Sequence, residues 1–384
     1  MQFFRGIIFL SALTIGYVHA VSATDEIVYK QAKELSSKSL RSDLAYKIIE
    51  SLTTEVGQRQ AGSEAEKRAR DWGVAKLTQL GFENVRVEPF EVDYWQRNLE
   101  QAEIISPFPQ KLIITALGGS VATPASGLTG EIVIFPTLQA LKDAPMEGLE
   151  DKIVFVDEFM TRTQDGSGYG VAVQKRSGAA NEAGKRGAAA ALIRSVGTDH
   201  HRFPHTGQMS YEKGLPKIPI AALSAPDADQ LGRAVLLGKV EVKLVIDVET
   251  KGKRQSGNVI GEIPGHTDEI VIIGGHLDSW DLGTGAVDDG AGIGITVGAA
   301  KLILDMNQKP HRTIRVVMFG AEEVGLVGAR AYAKQHKFEI DKHIVGAESD
   351  FGAGKIWSFE TRFATSKLAM AQEMHKVLEP LGIA

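Results

Sequence analysis

Between Gly274 and Gly292 the chain reads GGHLDSWDLGTGAVDDGAG, one histidine and four aspartates among glycines in a protein with only ten histidines. The stretch follows the apolar run Val271–Ile273, which has the look of a buried strand. Four acidic or imidazole clusters stand beyond such runs. His276 and Asp278 follow VIIGG, Asp288 and Asp289 enter the next helix, Glu322 and Glu323 follow VVMFGA, and Glu348 and Asp350 follow IVGA. In an open α/β sheet, ligands gather beyond the carboxyl ends of the strands. Carboxylates crowded there repel one another unless a cation lies among them. The pattern therefore points to a metal centre, in which a shared carboxylate can hold two ions roughly 3.5–4 Å apart. The chain has no cysteine, so any ligands must be His, Asp or Glu, a set suited to Zn²⁺ and other hard or borderline divalent ions.

Each residue alone has a plainer explanation. His276 could be an ordinary strand-end histidine, and Asp350 a turn residue before Gly352. The Glu322–Glu323 pair could sit in a first helical turn, favoured by the helix dipole. An aspartate before a helix commonly caps it; we expect Asp289 to do so, which leaves Asp288 free. Four such clusters in one strand-end register favour the metal centre.

The elements needed to position these residues can be read from periodicity. Residues 25–81 read as helical, and GSEAEKRARDWGVAKLTQLG is the clearest segment. Ser63 and Glu66 form a capping box there, and Gly81 ends the helix. NVRVEPFEVDYW alternates like a strand. From about 123 to 250 short strands (GEIVIF, DKIVFVD, GAAAALIR, VEVKLVIDV) alternate with glycine-rich polar loops, as in a small β-rich insert. After KGKRQSGN the rhythm becomes strand, loop, helix: NVIGEIP and EIVIIGG, a helix over DDGAGIGITVGAAKLILDM, the strand TIRVVMFG, a helix over EVGLVGARAYAKQH, and the strand HIVGAESD. This order predicts an α/β sheet covered by helices.

With 384 residues, 43% apolar and 24% charged, the chain has material for two or three domains. Its net charge of −5 and lack of a basic stripe give no reason to expect a nucleic-acid partner. The opening MQFFRGIIFLSALTIGYVHAVSA reads as a signal peptide, with Arg5 before an apolar core and cleavage after Ala20 or Ala23. No other run is long enough to span a bilayer, so we expect a secreted protein without a membrane span: extracellular, periplasmic or lysosomal.

GGHLDSWDLGTGAVDDGAG, MFGAEEVGLVGARAYAKQH and ESDFGAGK, together with GQRQAGSEAEKRARDW near the start, resemble the zinc-dependent exopeptidase family that includes bacterial leucyl aminopeptidase and plasma glutamate carboxypeptidase. The resemblance covers nearly the whole chain after the leader. It implies a mixed central sheet flanked by helices, with an inserted protease-associated domain. The division would be signal peptide 1–23, N-terminal peptidase part 24–122, insert 123–250 and metal-binding peptidase part 251–384. It also implies the roles at the site. His276 and Asp350 would bind one zinc, Asp288 would bridge two, and Glu323 would bind the second. Glu322 would be the general base, and Asp278 would hold the His276 imidazole and fix its tautomer. The peptide after the bridging aspartate would be cis. Substrates would be dipeptides or short peptides with free ends, and the enzyme would be a homodimer.

One part of the family pattern is missing. The family supplies a further histidine to the second zinc, many tens of residues past the position of Asp350. Here His375 is the only histidine after Asp350, and it reads as a surface residue of an amphipathic helix. The chain thus resembles a C-terminally shortened member whose second zinc site lacks its histidine. The alternative expectation is a catalytically impaired or non-catalytic binding ectodomain of the same fold.

Overall fold

In the computed structural model the described residues are 23–306, 308–350 and 352–384. The expected signal peptide falls almost entirely outside them. They form two compact units, residues 43–354 and a smaller one made of 23–42 with 355–384. The smaller unit contains the helices Ala23–Ser39 and Leu368–Leu378. His375 is exposed on the second of these. No helix among the described residues is long and apolar enough to cross a membrane.

The larger unit is mixed α/β. Its strands are β1 (Glu83–Ser106), β2 (Gln110–Leu112), β3 (Ile114–Ala116), β4 (Leu128–Phe135), β5 (Ile153–Val156), β6 (Ala190–Arg194), β7 (Ile220–Leu223), β8 (Glu241–Ile263), β9 (Ile270–His276), β10 (Thr313–Phe319) and β11 (His343–Glu348). They follow the order β11-β9-β10-β8-β4-β5-β6-β7-β3, with β1 paired to β8 and β2. β9 lies parallel to both β10 and β11, while β10 is antiparallel to β8. β4 to β7 run parallel, and β3 closes that side antiparallel to β7.

β8 departs from the sequence expectation. VEVKLVIDV and NVIGEIP read as two strands with a polar break between them, yet they are one strand of 23 residues. KGKRQSG continues it because β1 pairs with it antiparallel along nearly the whole length. Residues 249–255 are exposed, so nothing apolar marks them as strand. One end of β8 pairs with β4 and the other with β10.

The helix Glu64–Leu80 starts and stops as its sequence implies. The Ser63 side chain accepts the Glu66 N–H, and Gly81 closes the helix at φ 90°. The return arm of the capping box is displaced by one residue, since Glu66 accepts from Gly62 rather than Ser63. Trp72, Leu77 and Ala69 of this helix join Val259, Val316, Met318, Ile293 and Val297 in one apolar cluster. That cluster packs the helices Glu64–Leu80 and Ala291–Leu304 against β8, β9 and β10, fixing the sheet edge at which the acidic clusters emerge.

Candidate metal centre

Because β9, β10 and β11 are parallel, their carboxyl ends share one edge. His276, the last residue of β9, is in register with Phe319, the last of β10, and Glu348 pairs with Gly274. The turn Ala286–Gly290 brings Asp288 and Asp289 to the same edge before the helix Ala291–Leu304 begins. The glycines permit this closeness. A Cβ on Gly275 would lie 2.5 Å from Asp289, and one on Gly292 would lie 1.9 Å from the Ser349 carbonyl.

The buried His276 imidazole is the hub. Its Nδ1 is 2.9 Å from the Asp278 carbonyl oxygen, which can only accept, so Nδ1 carries the proton. Its Nε2 faces carboxylates: Asp288 at 2.8 Å, Asp350 at 3.5 Å and Glu322 at 4.0 Å. Donor atoms of His276, Asp288 and Glu323 all lie within 4.8 Å of one another, and so do those of His276, Asp289 and Asp350. His276, Asp288, Glu323 and Asp350 thus come together, although the spacing groups Asp289 rather than Asp288 with His276 and Asp350.

Two details refine the sequence expectation. Asp278 holds the imidazole through its backbone oxygen, while its carboxylate accepts the N–H groups of Glu322 (2.9 Å) and Glu323 (3.3 Å). A fully buried carboxylate needs such donors, and the adjacent loop supplies them. Asp289 accepts the N–H of Gly292 at the start of the helix and that of His276 at the strand end. Capping therefore occupies Asp289, while Asp288 stays exposed. The Asp288–Asp289 peptide is cis. Glu322 and Glu323 lie in a turn ahead of the helix, which starts only at Val327.

Electrostatics show what the cluster lacks. Burial, with Asp288 and Asp278 nearby, pushes Glu323 up to about 8. Burial, with Asp278, Asp350 and Glu348 nearby, pushes Glu322 up to about 7. Burial would lower His276, but its hydrogen bonds to Asp288 and Asp350 push it up to about 12. One imidazole is a poor counter-charge for so many carboxylates. A divalent cation among these oxygens and Nε2 would relieve both strains, and the donor set of one imidazole with several carboxylates fits zinc.

Sequence reasoning missed two supporting residues. Arg59 is fully buried and donates to the carbonyls of Leu277, Thr284 and Gly285, which shapes the loop after β9. Burial lowers it to about 10, although Asp278, Asp289 and Asp288 oppose that. Trp280 donates its indole N–H to Glu323 at 2.6 Å. Nothing local marks Arg59, which lies more than two hundred residues before the loop it holds. Trp280 stands within the motif, but its partner lies on another strand end.

A sheet with this edge chemistry defines a metallopeptidase, and the chain belongs to Peptidase family M28, whose profile matches residues 258–383. Among its relatives, human carboxypeptidase Q is 34% identical over 342 residues, covering 88% of this chain and 71% of the relative. The crystal structure of a peptidase M28 precursor from Shewanella amazonensis is 52% identical, with a TM-score of 0.92 over 94% of this chain and 82% of that one. A zinc aminopeptidase from Bacillus subtilis, 21% identical with a TM-score of 0.65, covers 89% of this chain and 78% of its own, and shares the fold.

Proposed function

We propose that the protein is an exported zinc exopeptidase acting on dipeptides or short peptides with free termini. The observation that carries this is the convergence of Asp288, Glu323, Asp350 and Glu322 on one buried imidazole, in a family whose relatives are named carboxypeptidases and zinc aminopeptidases. His276, Asp288 and Asp350 would hold one zinc; Asp288 and Glu323 would hold a second. Among the described residues, His276 is the imidazole that groups with Asp288 and Glu323.

Zinc, when bound, supplies Lewis acidity toward the scissile carbonyl and makes a water acidic enough to react near neutral pH. Glu322 takes the proton of the attacking water and returns it to the leaving amine. Asp278 positions two partners at once, the imidazole through its carbonyl and the Glu322–Glu323 backbone through its carboxylate. Trp280 orients Glu323.

Residues 123–250 are best taken as an inserted domain. Two apolar clusters whose buried members lie within residues 95–248 support a separate core there, beginning somewhat before residue 123 and touched by Trp280, while the cluster under the metal centre draws on residues 48–82 and 259–318. Export rests on the signal-like opening, with Arg5 before an apolar core and small residues at Ala20 and Ala23, and homodimer formation on the family resemblance.

Metal content per chain, measured alongside dipeptide hydrolysis, tests the proposal. We expect bound zinc, turnover abolished by a chelator, and recovery when zinc is restored. A folded protein that takes up no zinc, or that hydrolyses dipeptides undiminished without it, would sink the proposal.

A further inference from the structure

A second set of metal-ligand side chains stands outside the centre just described, in the loop after β6. Donor atoms of Asp199, His201 and His205 all lie within 4.8 Å of one another. Asp199 is the hub: His205 turns its Nε2 to one carboxylate oxygen at 2.7 Å, and His201 turns its Nε2 to the other at 3.1 Å. The two imidazole centroids are 5.7 Å apart, and the His201 ring meets the Phe203 ring edge-on. Among the described residues no lysine or arginine pairs with this carboxylate. His200, the adjacent residue, shows the ordinary arrangement instead. Its Nε2 faces Asp229 at 2.8 Å, and Arg194 supplies that carboxylate with a permanent cation.

The loop is shaped to keep these groups together. The His205 N–H donates to the Ser195 hydroxyl at 2.8 Å, which ties the histidine to the end of β6. Gly197 leaves the space that Asp199 and His205 share: a Cβ there would lie 2.9 Å from the Asp199 carboxylate and 3.0 Å from the His205 ring. Two zinc ligands about 2.0–2.1 Å from the ion and at a tetrahedral angle stand roughly 3.3 Å apart. The separations found here, 2.7 Å, 3.1 Å and at most 4.8 Å, bracket that value. All three side chains are partly open to solvent, so water can complete the coordination.

We propose that Asp199, His201 and His205 form a zinc site of their own, with both Nε2 atoms and the Asp199 carboxylate as ligands and water in the remaining position. The site shares no residue with the centre at His276 and does not depend on the peptidase proposal. Imidazole and carboxylate together suit zinc, whereas magnesium and calcium favour shells of oxygen. Each ligating Nε2 must shed its proton: a neutral imidazole carries it on Nδ1 instead, and an imidazolium releases it to solvent. Zinc affinity at this loop therefore falls as the pH drops through the ordinary imidazole value of about 6.5. The ion pins residues 199–205 beside the end of β6, a clip made by three side chains within seven residues of one another.

Zinc per chain, measured on the full protein by plasma mass spectrometry after dialysis against zinc buffered at a low micromolar free concentration, tests the proposal. The double variant His201→Asn, His205→Asn should hold one zinc fewer than the parent, and its melting temperature in chelator should stay close to the parent's. The one-zinc difference should shrink as the pH is lowered through about 6.5. Diethyl pyrocarbonate, which modifies free imidazole nitrogens, gives a second reading on the unmutated chain when the modified histidines are mapped by peptide mass spectrometry. Zinc at the same concentration should slow reaction of His201 and His205 by roughly ten-fold, the protection given by about nine-tenths occupancy. His200, at least as accessible, should react as before, and magnesium or calcium should protect none of the three. Equal zinc content in the parent and a folded double variant overturns the proposal. So does reaction of His201 and His205 at one rate with and without zinc, or equal protection of His200. If the double variant does not fold, the protection experiment decides alone.

Discussion

Two regions of the larger unit are built from the same kinds of side chain and behave in opposite ways. At the amino half of β10, Arg315 bonds Glu262 at 2.7 Å, the Tyr332 hydroxyl at 2.7 Å and Glu339 at 3.1 Å. His336 bridges Glu339 and Glu88, and Arg86 pairs with Glu88. Cations and anions nearly balance, and Glu339 is held below the usual carboxylate range despite some burial, chiefly by His336 and Arg315. At the carboxyl ends of β9 and β10, His276 is the one cation hydrogen-bonded to the carboxylates among the described residues, Arg59 acts on them only through space, and Glu322 and Glu323 are pushed up. Both are acidic clusters with histidine; only the second has a deficit of positive charge. That deficit separates a metal centre from a structural ion-pair network.

The comparison can be broken most sharply at Glu322. Glu322→Gln should lower kcat by about a hundred- to ten-thousand-fold, the range for a lost general base, with zinc content unchanged. Steady-state kinetics beside metal analysis checks this, and loss of zinc in step with activity would make Glu322 a ligand instead. The balanced cluster should respond in the other currency. Arg315→Met strips a buried charge from Glu262 and should cost about 3–5 kcal/mol of stability. Denaturant unfolding measures that cost, while kcat of the folded fraction should stay near wild type. A drop in kcat without loss of stability would mean that the two regions are coupled.

Much of the centre was legible because strand ends announce themselves. VIIGG, VVMFGA and IVGA are apolar runs broken by acidic or imidazole residues, and parallel pairing then makes three loops converge. Asp278 was legible as a supporter of His276, but not the division of labour between its carbonyl and its carboxylate, since both groups belong to one residue. β8 was misjudged at KGKRQSG because an exposed ribbon carries no apolar alternation, and its partner β1 lies some 150 residues earlier. Arg59 was invisible for a related reason. Its role depends on which carbonyls come to surround it, which neither composition nor periodicity encodes.

A change of sign sharpens the comparison further. Without metal, Glu323→Gln should stabilise the protein near neutral pH by about 1–3 kcal/mol, because burial and neighbouring carboxylates push Glu323 up to about 8 and the glutamine carries no such cost. The glutamine oxygen can still accept from Trp280. The matching Glu262→Gln in the balanced cluster should destabilise, because it leaves Arg315 short of an anion. Melting temperatures of the two variants, measured in chelator, decide this. Two shifts of the same sign would erase the electrostatic distinction.

The smallest expected effect concerns acid. Glu339 has a folded-state value below its ordinary 4.5, so its contribution to stability is present above that value. It is lost as the pH falls through the lower, folded value. Glu339 is partly exposed, so water screens its ion pairs and the contribution is modest. Unfolding measured from pH 6 downward should therefore show a shallow loss of stability below about 4.5 in the parent protein. Glu339→Gln should be slightly less stable at pH 6, and the gap should close as the solution is acidified. A gap of constant size across that range would mean that Glu339 acts by packing, and the charge balance assigned to this cluster would rest on Glu262 and Glu88 alone.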